Sequence, residues 1–207
     1  TRQQVLDLAP FTAIDIEGAI DVTVEKGAVQ AVTVTAQPEL IALLNTKVDG
    51  DTWHIGTSGC WTTTSGFSVH IVTPSLTDIE VEGSSQVRTA DVFGSGSTHL
   101  AVEGSGGIEV EGINEKELKL KIEGSGGIAI RGTCSELDGE VSGSGALHAK
   151  DLAANEATLI VEGSGTATIT AISKLNAKVE GSGAISYAGK PEVSSKIEGS
   201  GTVTPLP

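Results

Sequence analysis

Methionine is absent from this sequence, and aromatic residues make up only 3% of it. Without aromatics to fill space, a core must be assembled from aliphatic side chains in thin layers. Two cysteines, Cys60 and Cys134, allow one disulfide at most. Basic residues are scarce, 13 against 27 acidic ones, for a net charge of −14. Nucleic acid and anionic membrane surfaces both need basic patches, so the charge excludes them as partners. No apolar run is long enough to span a bilayer. The chain begins at Thr1 without an initiator, which fits a trimmed, exported protein in the periplasm, at the outer membrane or on the cell surface.

What is plentiful is glycine, with 27 residues, against 38% hydrophobic residues that alternate regularly with polar ones. Glycines at this density imply many tight turns, and the alternation implies strands with one buried face, so the chain is not disordered.

An internal period is plain. Glu82-Gly83-Ser84 is followed by Gly-Ser-Gly motifs that begin at Gly104, Gly124, Gly143, Gly163, Gly181 and Gly199. Successive first glycines are 21, 20, 19, 20, 18 and 18 residues apart. Two residues before them stand Val81, Val102, Ile122, Val141, Val161, Val179 and Ile197; four residues after stand Val87, Ile108, Ile128, Leu147, Ala167, Ile185 and Val203. Short strands that return at one fixed period stack as parallel ladders. The expected fold is therefore an all-β, right-handed parallel β-solenoid with coils of about twenty residues. Gly83, Gly104, Gly124, Gly143, Gly163, Gly181 and Gly199 are its structural corners, and each coil should run strand, corner, strand and short return loop.

Residues 76–207 carry this repeat, and residues 1–75 are expected to form irregular coils and an N-terminal cap, all in one continuous domain. Ile14, Ile16, Gly18, Ile20, Val22 and Val24 predict a first coil around Gly18, and Val32 and Val34 a further strand. A helix is expected from Pro38 to Leu44, with Leu40, Leu43 and Leu44 on one face. Asp49-Gly50 marks a hairpin before Trp53. The helix and hairpin would cover the open sheet edge, while Pro205 and Pro207 stop pairing at the other end. In this register Cys60 and Cys134 lie three or four coils apart, roughly 14–19 Å along the axis. A disulfide needs Cα atoms within about 7 Å, so free thiols are expected.

The opening Phe11-Thr-Ala-Ile-Asp-Ile-Glu-Gly-Ala-Ile-Asp-Val22, followed by the Gly-Ser-Gly ladder, resembles the bacterial family described as "putative auto-transporter adhesin, head GIN domain". The resemblance implies an exported two-sheet solenoid of unknown function. It carries over no catalytic residues, no cofactor and no ligand.

Three features are candidates for function. The first is an outward ladder of Glu103, Glu123, Glu162 and Glu180 with Glu82 and Glu198, which could offer oxygen ligands to a divalent cation. Like charges about 4.8 Å apart repel by about 0.9 kcal/mol in water, and Lys121, Lys178 and Lys196 stand nearby to offset them. A solvated face is the simpler reading of that ladder. The second is the outward row Gln86, Gly107, Gly127, Ala146, Thr166, Ala184 and Thr202, small enough for another chain to pack closely, including a second copy. The third is Trp61, in a Gly/Ser/Thr loop, as an anchor for a glycan or protein ligand. His54, His70, His99 and His148 show no metal-ligand spacing. The function expected is a non-catalytic surface or adhesion module. The alternatives are a polysaccharide-active enzyme of the parallel β-helix type and a purely structural envelope protein. The enzyme reading lacks the long loops that would wall a cleft and the acid–base cluster it would hold.

Overall fold

The computed structural model describes residues 1–58 and 66–207. The chain runs β1 (Arg2–Leu6), β2 (Ala13–Gly18), β3 (Asp21–Lys26), β4 (Ala31–Ala36), α1 (Pro38–Ile41), β5 (Val48–Asp49) and β6 (Thr52–Ile55). It continues as β7 (Ser68–Thr73), β8 (Asp78–Gly83), β9 (Gln86–Ala90), β10 (Ser97–Gly104), β11 (Gly107–Gly124), β12 (Gly127–Gly143), β13 (Ala146–Gly163) and β14 (Thr166–Gly181). It closes with β15 (Ala184–Ala188), β16 (Glu192–Gly199) and β17 (Thr202–Pro205). Together they form a β-solenoid of about six turns.

From β8 onward each coil lies on the one before it in parallel register. Val81 pairs with Val102, Val102 with Ile122, Ile122 with Val141, and so on to Val179 with Ile197. Every member of this row up to Val179 is fully buried. The row after the corner, from Val87 to Ile185, is buried as well. Each Val, Ile or Leu in these rows contributes roughly 1.5–3 kcal/mol of transfer free energy, so the ladder is held by aliphatic stacking.

The return segment differs from the loop expected. In β11 to β14 the strand continues around the bend without a break. Ile113, Asn114 and Glu115 pair with Gly132, Thr133 and Cys134, after a register shift between Val110 and Ile113. Two consecutive outward residues, Glu111 and Gly112, let the chain turn while both flanking side chains stay inward.

At the corners the backbone itself makes the ladder. The amide of Ser125 donates to the Gly104 carbonyl at 2.8 Å, Ser144 to Gly124 at 2.8 Å and Ser164 to Gly143 at 2.8 Å. Gly124 sits at φ 106° and Gly163 at φ 103°. A Cβ on Gly124 would stand 2.6 Å from the Gly104 oxygen, which already accepts the Ser125 amide. Backbone conformation and coil spacing therefore demand glycine independently.

In the N-terminal part, order in space departs from order in sequence. The coil of β2 and β3 is sandwiched, with β8 and β9 on one side and the later β6 and β7 on the other. Beyond β7 lies β4, antiparallel, and beyond β4 lies β1, also antiparallel. β5 forms the hairpin with β6 around Gly50. Trp53 is fully buried, donates its indole N–H to the Asn45 carbonyl at 3.0 Å, and stacks tilted on Phe11. The helix ends at Ile41 rather than Leu44. Leu40, Ile41 and Leu44 are buried while Leu43 is exposed, because the chain leaves the helix to bridge Leu44 with Thr57.

One corner breaks the glycine rule. Ser85 replaces the second glycine of the motif and is buried. Its hydroxyl accepts the Ile20 amide at 2.9 Å and donates to the Gly18 carbonyl at 3.2 Å. The coil beneath turns at Gly18-Ala19-Ile20, and a serine side chain is needed to reach it.

Candidate functional site

The strands preceding the corners present a charged face. Their registers place Glu17, Glu82, Glu103, Glu123, Ser142, Glu162, Glu180 and Glu198 side by side in one row. Glu103 adjoins Glu123 and Glu162 adjoins Glu180, with Ser142 between the two pairs. Lysines two residues earlier fold onto three of these: Lys121 to Glu123 at 2.6 Å, Lys178 to Glu180 at 2.5 Å and Lys196 to Glu198 at 2.5 Å. Hydrogen bonds to these glutamates raise the pKa of Lys121 and Lys178, and the Lys196 contact lowers that of Glu198.

Toward the N-terminal coils the acid is less compensated. Asp15, Glu17, Asp78, Glu80, Glu82 and Glu103 share neighbouring rows. Burial raises the pKa of Glu80, helped by Asp15 and Glu103. Asp15 is the foremost cause raising that of Glu82, with burial and Glu17 behind it. His54 binds Asp15 at 2.7 Å and His99 binds Asp78 at 3.2 Å, so both imidazoles are held by carboxylates. Among the described residues no three acidic, histidine or cysteine side chains converge to hold a metal ion. The glutamates stand beside one another along a flat face instead of around a point.

The strands following the corners present the second surface. Gln86, Gly107, Gly127, Ala146, Thr166, Ala184 and Thr202 share one outward row; Arg88, Glu109, Ala129, His148, Thr168, Ser186 and Thr204 share the next. Missing side chains at Gly107 and Gly127 leave a trough of about 470 Å³ across four coils, with Gln86, Arg88, Glu109 and His148 at its sides. Arg88 reaches Glu109 at 3.4 Å, and Arg131 reaches Glu111 at 3.3 Å. The trough thus has a floor of backbone and small side chains and a rim of both charge signs. The sequence reading found the small row but missed the charged row beside it. Extending the same period-two count outward would have found it.

One buried group, Glu115, was also missed, while its neighbour Cys134 is the free thiol expected. Glu115 is 5% exposed and accepts the Gly96 amide at 2.7 Å, closing the irregular turn between β9 and β10. Beside it in the next coil, Cys134 is a buried free thiol whose pKa burial pushes up to about 11. A thiol so protonated is an inert core residue. Trp61 and Cys60 lie outside the described residues.

From β8 onward the chain is a parallel stack of short coils with flat outer faces, and at the opposite end it is closed by the antiparallel strands β4 and β1. The chain belongs to the family described as "Putative auto-transporter adhesin, head GIN domain", whose model matches residues 10–191. No curated protein matches it. Several solved structures share the fold, three of them as follows. A "putative adhesin" from Bacteroides fragilis is 20% identical with a TM-score of 0.86, over 99% of this chain and 96% of that one. Another from Parabacteroides distasonis is 26% identical with a TM-score of 0.80, over 99% and 96%. A "putative lipid binding protein" from the same species is 23% identical with a TM-score of 0.78, over 100% and 96%.

Proposed function

We propose that this chain is a non-catalytic, exported surface module that binds a glycan or protein ligand on the face following the Gly-Ser-Gly corners. The observation that carries the reading is the trough over Gly107, Gly127 and Ala146, flanked by Gln86, Arg88, Glu109 and His148. A floor of backbone and small side chains lets a ligand approach the main chain, and the rim supplies donors and acceptors to orient it. The family assignment fits this reading, as do coils too uniform in length to wall a cleft. Screening the chain on glycan and host-surface-protein arrays tests it. Binding that is lost in Gly127→Gln, which fills the floor, and weakened in Arg88→Ala supports the reading. Binding unchanged in both places the site elsewhere, and no binding at all favours a structural envelope role.

Lipid contact is a second reading with one observation in its favour. Leu8, Pro10, Phe11, Ala28, Val29 and Pro74 line an open, largely apolar hollow of about 490 Å³, and Val29 is 77% exposed. Co-flotation with zwitterionic vesicles, lost in Val29→Asp, would support it. Failure of the wild-type chain to float would end it.

A further inference from the structure

The two ends of the solenoid are finished differently. At one end β4 and β1 close the stack as antiparallel strands. At the other, β16 has β14 on one side and no strand on the other among the described residues. All eight residues of β16 are exposed. Leu175 and Val179 in β14 are fully buried, yet their partners one coil on, Val193 and Ile197, are 37% and 45% exposed. The free edge thus combines unpaired backbone groups with apolar side chains that face the solenoid interior.

We propose that this edge binds a second copy of the chain, with β16 pairing antiparallel to β16 of that copy about a twofold axis centred on Ser194. The argument is charge complementarity. In this register Glu192 stands opposite Lys196 of the second copy, and the twofold repeats the pair. Glu198 comes opposite Lys190, just outside the strand. On the inward side Val193 lies opposite Ser195 and diagonal to Ile197, so the exposed apolar side chains of both copies cover each other. The register centred one residue later, on Ser195, would set Glu192 against Glu198 and is disfavoured. Antiparallel closure is the device the chain already uses at its other end. The pairing belongs to β16 because β17 ends in Pro205, which has no amide to donate.

Sedimentation equilibrium of the 207-residue chain from low micromolar to hundreds of micromolar concentration tests the proposal. The expected result is reversible association from 21.0 kDa to twice that mass. Glu192→Lys alone and Lys196→Glu alone should each weaken dimerisation tenfold or more. The double charge swap should restore it. Circular dichroism of each variant establishes that the fold is retained. A monomer throughout the range overturns the proposal, as does a dimer indifferent to the single swaps. Dispersal by Ala146→Glu or Ala184→Glu, on the face following the corners, would place the contact there and overturn it equally.

Discussion

The coils from β10 to β16 and those from β2 to β9 share one architecture but are held in different ways. In the later coils each neighbour in space is the neighbour in sequence, and the same aliphatic and glycine positions recur. In the earlier coils β2 and β3 lie between elements from two distant parts of the chain. There, single contacts take over: Ser85 on Ile20 and Trp53 on Asn45. The repeat is stabilised by uniform spacing, and the cap by contacts made once.

The largest expected effect breaks the uniform half. Gly124→Val or Gly163→Val forces a β-branched residue into positive φ and into the carbonyl of the coil below. The cost should be about 3 kcal/mol or more, lowering the melting temperature by roughly 10 °C. A melting temperature matching wild type would show that the corner does not need glycine. Next comes the one-off half. Ser85→Gly restores the motif of the other corners but orphans the buried Ile20 amide, at roughly 1–3 kcal/mol. Faster amide exchange confined to β2 and β3 would show that loss, and an unaltered rate would contradict it.

A smaller effect follows from charge. Glu80 and Glu82 have pKa values raised in the folded state, so their ionisation opposes folding. Lowering the pH from neutral through their raised range should therefore add stability at low salt, with less gain in Glu80→Gln. Glu198, whose pKa is lowered by its hydrogen bond to Lys196, acts in reverse: its contribution is full above the ordinary glutamate pKa and is lost progressively as the pH falls from there through the lowered folded-state value. A melting temperature that falls steadily from pH 7 would contradict this ordering. The smallest effect is that of Glu123→Gln. The amide still meets Lys121 and relieves the charge of Glu103, so stability should change by less than about 0.5 kcal/mol. Stabilisation of the wild-type chain by calcium, absent in the variant, would instead reveal a cation on the ladder.

The same division explains what could be read in advance. Val81 to Val179 and the Gly-Ser-Gly corners were legible because every coil repeats the same solution to the same packing problem. The position of β6 and β7 outside β2 was not, since nothing local in Thr52–Thr73 specifies which coil it covers. The edge strand β1 was missed because Arg2, Gln3 and Gln4 are polar and the strand is almost wholly exposed. Glu115 was missed because a glutamate at an inward position breaks the pattern that reveals such positions. Of the candidate surface, the small residues were legible, and the rim of Arg88, Glu109 and His148 needed the register to join it to them.

The central claim is that each corner is a continuous hydrogen-bonded ladder, although Gly-Ser-Gly would otherwise read as a flexible turn. Residue-resolved amide exchange measures it directly. The account predicts that the Ser125, Ser144, Ser164 and Ser182 amides, bonded to Gly104, Gly124, Gly143 and Gly163, exchange as slowly as the flanking strands. Exchange at the rate of open glycine-serine turns would contradict it.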